Sequence, residues 1–186
     1  MEDSYYSIDA ILAENQKLQC TFKHSVPGLG YLEGGDAKDI KESDRVQLAY
    51  WLALRPLLQT GSADFTIPAS FSQRVQNALN AEPRSVRLSS LVGGGGHWYA
   101  LGRMIAQLLD HKEATQLAGL LNKTFQQRLI DLMDQAQHFG GSSTTSGQGG
   151  EDFREGFDAT ERELFALAQD STRATKIWHE SSDKNH

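Results

Sequence analysis

The residues of this chain able to do chemistry are one thiol, six imidazoles, two glycine-rich stretches and a scatter of serines. Cys20 lies in Leu18-Gln19-Cys20-Thr21-Phe22, where apolar and polar types alternate as in a half-buried strand, so it reads as a small buried apolar group. A lone cysteine forms neither an intrachain disulfide nor a cysteine zinc site. His24, His97, His111, His138, His179 and His186 are well separated, and no two flank a glutamate at the i, i+4 spacing of a helical zinc motif. Gly28-Leu29-Gly30-Tyr31-Leu32-Glu33-Gly34 misses a dinucleotide fingerprint, because the third glycine falls one place late and no helix follows; a turn between strands fits it better. Gly93 to Gly96 is followed by His97-Trp98 where a phosphate loop needs Lys-Ser or Lys-Thr, and reads as a flexible link. No Gly-x-Ser-x-Gly elbow is present, and the sequon Asn122-Lys123-Thr124 falls mid-helix. The expectation is therefore no catalytic residue, no cofactor and no metal.

The elements point instead to packing. From Trp98 to Phe139 the chain is free of proline and reads as two helices. Trp98, Leu101, Ile105 and Leu108 mark the first. Leu117, Leu120 or Leu121, Phe125, Leu129, Leu132, Ala136 and Phe139 mark the second, and Asp110-His111-Lys112-Glu113 is the polar break between them. Residues 1–46 differ in kind. Ile8 to Ala13 fits a helical turn, Leu18 to Phe22 a strand, Val26 to Gly30 a turn, Tyr31-Leu32-Glu33 a second strand, and Asp39 to Val46 a charged extended piece. Leu48 to Leu58 is apolar on nearly every side, as a helix buried from several directions is, with Pro56 stopping or kinking it. Pro68-Ala69-Ser70 opens a helix with Phe71, Val75, Ala78 and Leu79 on its apolar face; Ala81-Glu82-Pro83 ends it, and Ser85 to Leu91 has no definite pattern. Residues 140–150 have the composition of a flexible Gly/Ser loop. A last helix runs from Asp158 to about Glu180, with Asp158 as N-cap, Glu161 at the capping-box position, and Phe157, Leu164, Ala168, Thr175 and Trp178 as a weak stripe before a frayed tail. The fold class expected is mainly α: a small β-rich domain over 1–46, then a helical domain over 47–186 with the loop at 140–150.

At 39% hydrophobic and 23% charged residues the composition is that of a globular chain. Its net charge of −6 opposes a surface built to hold phosphates, and the acid is concentrated at the ends: residues 1–46 and 151–186 are each net −4, the middle +2. Arg74, Arg84, Arg87 and Arg103 form one loosely basic zone, read as a solvated face, so direct DNA contact is expected to be weak or absent. The opening MEDSYY lacks the pattern of a signal peptide and no run is long and apolar enough for a membrane span, which leaves cytosol or nucleus as the expectation. The helices carry more apolar surface than a small bundle needs. Trp51, Phe71, Trp98, Leu101, Phe125 and Leu129 are the expected core or partner-interface residues. The rival reading, a ligand-binding protein or enzyme with a pocket between the β-rich part and the helices, has only His24, Glu33 and Cys20 as local candidates, without recognisable spacing.

Several segments, in order, resemble one family. Tyr5-Tyr6-Ser7-Ile8-Asp9 with Ile11-Leu12, Pro27 to Glu33, Leu48 to Ala53, Ala78 to Leu88, His97-Trp98-Tyr99 and the helix from Glu161 through Phe165 to Trp178 resemble the Psf-three subunits of GINS, a heterotetramer of eukaryotic DNA replication. Ala49 stands where that family commonly has proline. The resemblance implies a β-rich B domain followed by a helical A domain, a nuclear location, and a non-catalytic structural role. It also implies partners: three sister GINS subunits, and beyond them the Mcm ring and the Cdc forty-five protein of the replicative helicase.

Overall fold

A computed structural model of the chain describes residues 6–34, 38–54, 58–93, 95–138 and 153–183. Ser7 opens helix α1 (Ile8–Glu14), its hydroxyl accepting from the Ala10 amide. Strand β1 (Lys17–Phe22) follows, with Leu18, Cys20 and Phe22 buried on one side as the alternation requires. It is the middle of a three-stranded antiparallel sheet, ordered β2-β1-β3. Strand β2 (Arg45–Ala49) sets Val46 against Cys20 and Leu48 against Leu18; β3 (Ala63–Thr66) sets Ala63 against Phe22.

Two expectations for this part are corrected. Tyr31-Leu32-Glu33 is not a strand but part of a 3-10 turn, Gly30–Glu33, closed by Gly34 at φ 81. Both edges of β1 are already taken by β2 and β3, so it cannot pair with β1. Leu48 belongs to a strand, and the helix α2 (Tyr50–Ala53) starts only where the Tyr50 amide reaches the Gln16 carbonyl at 2.9 Å. The all-round apolar character of this stretch combines the inner face of a strand with a short helix; Pro56 lies outside the described residues. The division expected at residue 46 falls inside β2, and the sheet extends past it to Thr66.

The helical part begins with a 3-10 turn, Ala69–Phe71, and α3 (Gln73–Ala81), which buries Phe71 and Leu79 but leaves Ala78 exposed. Ser85 to Leu91, without pattern in the sequence, completes a 3-10 turn, Pro83–Ser85, and forms the short α4 (Leu88–Leu91). Gly95 and Gly96, just before α5, are not slack; Gly94 lies outside the described residues. Gly96 is buried at φ 74, a Cβ there would lie 2.9 Å from the Ser89 Cα, and its carbonyl accepts from the Ala159 amide at 3.0 Å. Helices α5 (Trp98–Ala106) and α6 (His111–His138) pack together. The break lies earlier than expected: Asp110 caps α6 through the Glu113 amide at 2.8 Å, placing His111, Lys112 and Glu113 in the first turn. The Gly/Ser loop at 140–150 lies outside the described residues. The last helix, α7 (Ala159–Asp183), packs along α6 and continues past the expected fraying point at Ser181.

One core cluster runs without interruption from Leu18 and Phe22 in the sheet through Leu48, Phe71 and Trp98 to Leu117 and Leu121 in α6. A second, of Leu132, Phe153 and Phe157 with Leu164 and Phe165 against it, joins α6 to α7. Two helical glycines separate propensity from packing. At Gly102 a Cβ would lie 2.8 Å from Leu121 Cδ2 and 3.0 Å from Phe71 Cε1, whereas nothing lies within 4 Å at Gly119. Gly102→Val is expected to lose about 1–3 kcal/mol by overpacking. Gly119→Ala is expected to gain about 0.5–1 kcal/mol. Urea unfolding midpoints of the two variants should move in opposite directions.

Candidate protein-interaction surface

The surface is carried on helices fixed by one buried polar cluster. Asp158 Oδ1 accepts from the Thr160 amide at 2.8 Å, and Glu161 Oε2 accepts from the Asp158 amide at 3.1 Å, completing the capping box read from the sequence. The same aspartate does more. Its Oδ2 accepts from the amides of Trp98 at 2.5 Å and Tyr99 at 3.2 Å, so one carboxylate caps α5 and α7 together. Glu161 accepts from Arg128 in a bidentate pair, Nε to Oε1 at 2.7 Å and Nη2 to Oε2 at 2.8 Å, and from the Tyr99 hydroxyl at 3.0 Å. Arg128 spends its other donors on the carbonyls of Pro83, Val86 and Gly156, and its guanidinium lies 4.6 Å from the Phe153 ring centre. Arg128, Asp158 and Glu161 are all essentially without solvent exposure. Burial pushes the Asp158 carboxyl above its ordinary range against the hydrogen bonds it accepts, and burial with the neighbouring Glu161 pushes the Tyr99 hydroxyl up. These polar groups are consumed in holding chain segments together.

The residues expected at core or interface divide. Phe71, Trp98 and Leu101 are buried, with Phe71 stacked on Trp98 at 5.3 Å and the Trp98 indole N–H donating to the Ser70 carbonyl at 3.1 Å. Phe125 is half-buried, edge-on to Tyr99 at 5.6 Å, and Leu129 is half-buried too. Trp51 is exposed, its indole N–H donating to Asn15 Oδ1 at 3.2 Å. The basic zone is interrupted by acid, since Arg84 pairs with Asp131 at 3.2 Å and Arg87 with Glu155 at 3.4 Å. Cys20 is fully buried and its thiol is pushed up to about 11 by burial, which keeps it protonated. His97 is buried at the head of α5. Of the pocket reading's candidates, Cys20 is buried and His24 exposed, and the Glu33 side chain lies outside what is described. No group of three metal-ligating residues occurs among the described residues.

Arg128 was missed by the sequence reading although its position announced it. The buried positions of α6 are 117, 121, 124, 128, 132 and 136, and an arginine on that stripe must be paired. The expected stripe on α7 holds only in its first half, where Leu164 and Ala168 are half-buried; Thr175 and Trp178 are exposed. Residues 173–181 of α7 are exposed on every side, and Ile177 and Trp178 among them are 60% and 63% exposed. Leu167 on α7 and Ile130 and Met133 on α6 add to the uncovered apolar surface.

With this geometry the chain can be compared with known proteins. A family model described as the PSF3 N-terminal domain matches residues 6–55, and one described as the GINS complex protein helical bundle domain matches residues 70–180. A DNA replication complex GINS protein psf3 of Aspergillus fumigatus is 40% identical over 182 residues, covering 94% of this chain and 96% of the relative. The chain belongs to the PSF3 family of GINS proteins. The PSF3 of Phaeosphaeria nodorum is 41% identical over 94% of the chain and 95% of its own length, and that of Schizosaccharomyces pombe 30% over 96% and 98%. The helical-bundle match begins at Ser70, the residue whose carbonyl anchors Trp98.

If the buried cluster fixes how the PSF3-family helices meet, Arg128→Met should leave Glu161 buried and unpaired and cost about 3–5 kcal/mol. The double variant Arg128→Met, Glu161→Leu should recover part of that loss, since no charge is then stranded. A denaturant-unfolding double-mutant cycle measures the difference, and simple additivity of the two changes would refute the pairing.

Proposed function

We propose that the chain is a non-catalytic structural subunit of a four-subunit, nuclear GINS particle, and that it docks to its three sister subunits through the uncovered apolar surface of α6 and α7. One observation carries this reading. Residues 173–181 of α7 are exposed, and among them an isoleucine and a tryptophan are 60% and 63% exposed. Helices draw most of their stability from a packed face, and isolated ones shorter than about 12–15 residues are marginal in water. An exposed helical end rich in large apolar side chains is completed by another protein. Half-buried Phe125 and Leu129 stand at the margin between core and interface, whereas Phe71, Trp98 and Leu101 act from within by shaping the helices that dock.

Through that particle the chain contributes binding surface to the replicative helicase, alongside the Mcm ring and the Cdc forty-five protein, during initiation and elongation of DNA replication. The absence of a converging polar site in the sequence supports a structural role. The overall negative charge, with Arg84 and Arg87 answered by Asp131 and Glu155, supports a minor part for direct DNA contact. The relatives' names, DNA replication complex GINS proteins, support membership of the particle.

The mass in solution of the chain co-produced with its three sisters should be that of a 1:1:1:1 particle. Ile177→Asp and Trp178→Asp together should release the subunit from the particle while its own melting temperature stays unchanged, because both side chains are exposed in the isolated fold. A particle that forms undisturbed with both aspartates in place would remove α7 from the interface.

A further inference from the structure

The far end of α7 is helical although its own residues favour other states. From Ser171 to Asp183 it reads Ser-Thr-Arg-Ala-Thr-Lys-Ile-Trp-His-Glu-Ser-Ser-Asp. Serine, threonine, isoleucine, tryptophan, histidine and aspartate are poorer helix formers than alanine and the straight-chain residues, since they lose side-chain freedom against the preceding turn or compete for its backbone. That competition is visible. The Thr172 and Thr175 hydroxyls donate to the carbonyls of Ala168 and Ser171 at 2.9 Å, and the Ser181 hydroxyl donates to that of Trp178 at 2.8 Å. The last turn holds Glu180 and no base, a charge of the wrong sign for that end of the helix dipole. Asp170 and Arg173 pair at 3.5 Å, but with side chains 71% and 73% exposed the contact adds little.

Packing does not make up the difference. Residues 173–181 are exposed, Ile177 and Trp178 among them, whereas the root of the same helix is capped by Asp158 and Glu161 and packed through Phe157, Leu164 and Phe165. Where local preference and observed state disagree, the state is set from outside the segment. We propose that α7 beyond Thr172 folds on docking: frayed in the free chain, it becomes the helix seen here when Ile177 and Trp178 are covered by a sister subunit. The match to the GINS helical bundle domain runs to residue 180, so this end belongs to the bundle domain and not to a tail beyond it. This rests on the function proposed above and adds a regulation of that same surface. Ordering the segment opposes association, so the contact is weaker than its apolar area alone would make it, and it tightens with anything that forms the helix in advance.

Amide hydrogen exchange, followed by mass spectrometry on the chain alone and on the co-produced particle, tests this. In the free chain residues 173–183 should exchange within about tenfold of the unstructured rate while residues 162–168 stay protected, and in the particle their protection should rise by roughly a hundredfold or more. Full protection of residues 173–183 in the free chain overturns the proposal and leaves the four-subunit reading standing. A particle that forms with the segment still unprotected overturns it and also removes this end of α7 from the interface. Failure of the particle to form defeats the four-subunit reading and this proposal with it. Paired variants supply a second readout. Thr175→Ala with Ser181→Ala and Thr175→Gly with Ser181→Gly remove the same hydroxyls and differ in helix preference. On dilution the alanine particle should persist to concentrations several-fold lower than the glycine particle, while the two free chains melt at the same temperature. Equal persistence, or a free glycine chain that melts below the alanine one, means that the helix forms before docking and overturns the proposal.

Discussion

A guanidinium shut away from water is the constraint from which much of the helical part follows. Arg128 has five N–H donors, and each finds an acceptor: two oxygens of Glu161 and the carbonyls of Pro83, Val86 and Gly156. A buried ion pair adds little net stability over an apolar replacement, because desolvation offsets most of the attraction. Its effect is on geometry. Pro83, Val86 and Gly156 lie in stretches with little regular structure of their own, and the arginine gives each one a fixed place. Glu161 is in turn oriented by the Asp158 amide and the Tyr99 hydroxyl, so a displacement of any member strands another.

The consequence is an asymmetric molecule. The first turns of α7 are held by Asp158, Glu161 and the Phe153-Phe157 cluster, and Arg162 adds hydrogen bonds to the carbonyls of Phe157 and Gly95. Residues 173–181 of its last turns are exposed. A helix gripped at its root and exposed at its far end transmits the orientation of that root to a surface some distance away, at about 1.5 Å per residue. The N-terminal part is fastened differently. Its sheet shares one apolar cluster with α5 and α6, and the Tyr50 hydroxyl donates to the Met104 carbonyl at 3.3 Å, so sheet and helices form a common interior.

The sequence made legible those features that rest on local chemistry. The α7 capping box, the alternation of β1, the end of α3 and the long stripe of α6 each depend on residues within a few positions of one another, and all were found. Features decided by distant partners were not. Tyr31 to Glu33 has strand-like composition, but the ladder positions beside β1 were already filled from residues 45–49 and 63–66. Gly95 and Gly96 looked like slack because nothing local reveals that Ser89, Ala159 and Arg162 close on them. Apolar spacing alone points to Leu129 and passes over Arg128, which the α6 burial pattern places inside. The second carboxylate oxygen of Asp158 was invisible for the same reason: Trp98 is 60 positions away.

That separation also orders events during synthesis. A ribosome delivers α5 before it delivers Asp158, so the first amides of α5 must wait for a cap encoded 60 residues later. Until that carboxylate emerges, the buried position of Trp98 lacks the group that satisfies its backbone, and Arg128 on the nascent α6 lacks its counter-ion. A chain interrupted before residue 158 contains nearly all of the apolar core but neither the carboxylate that caps α5 nor the counter-ion of Arg128.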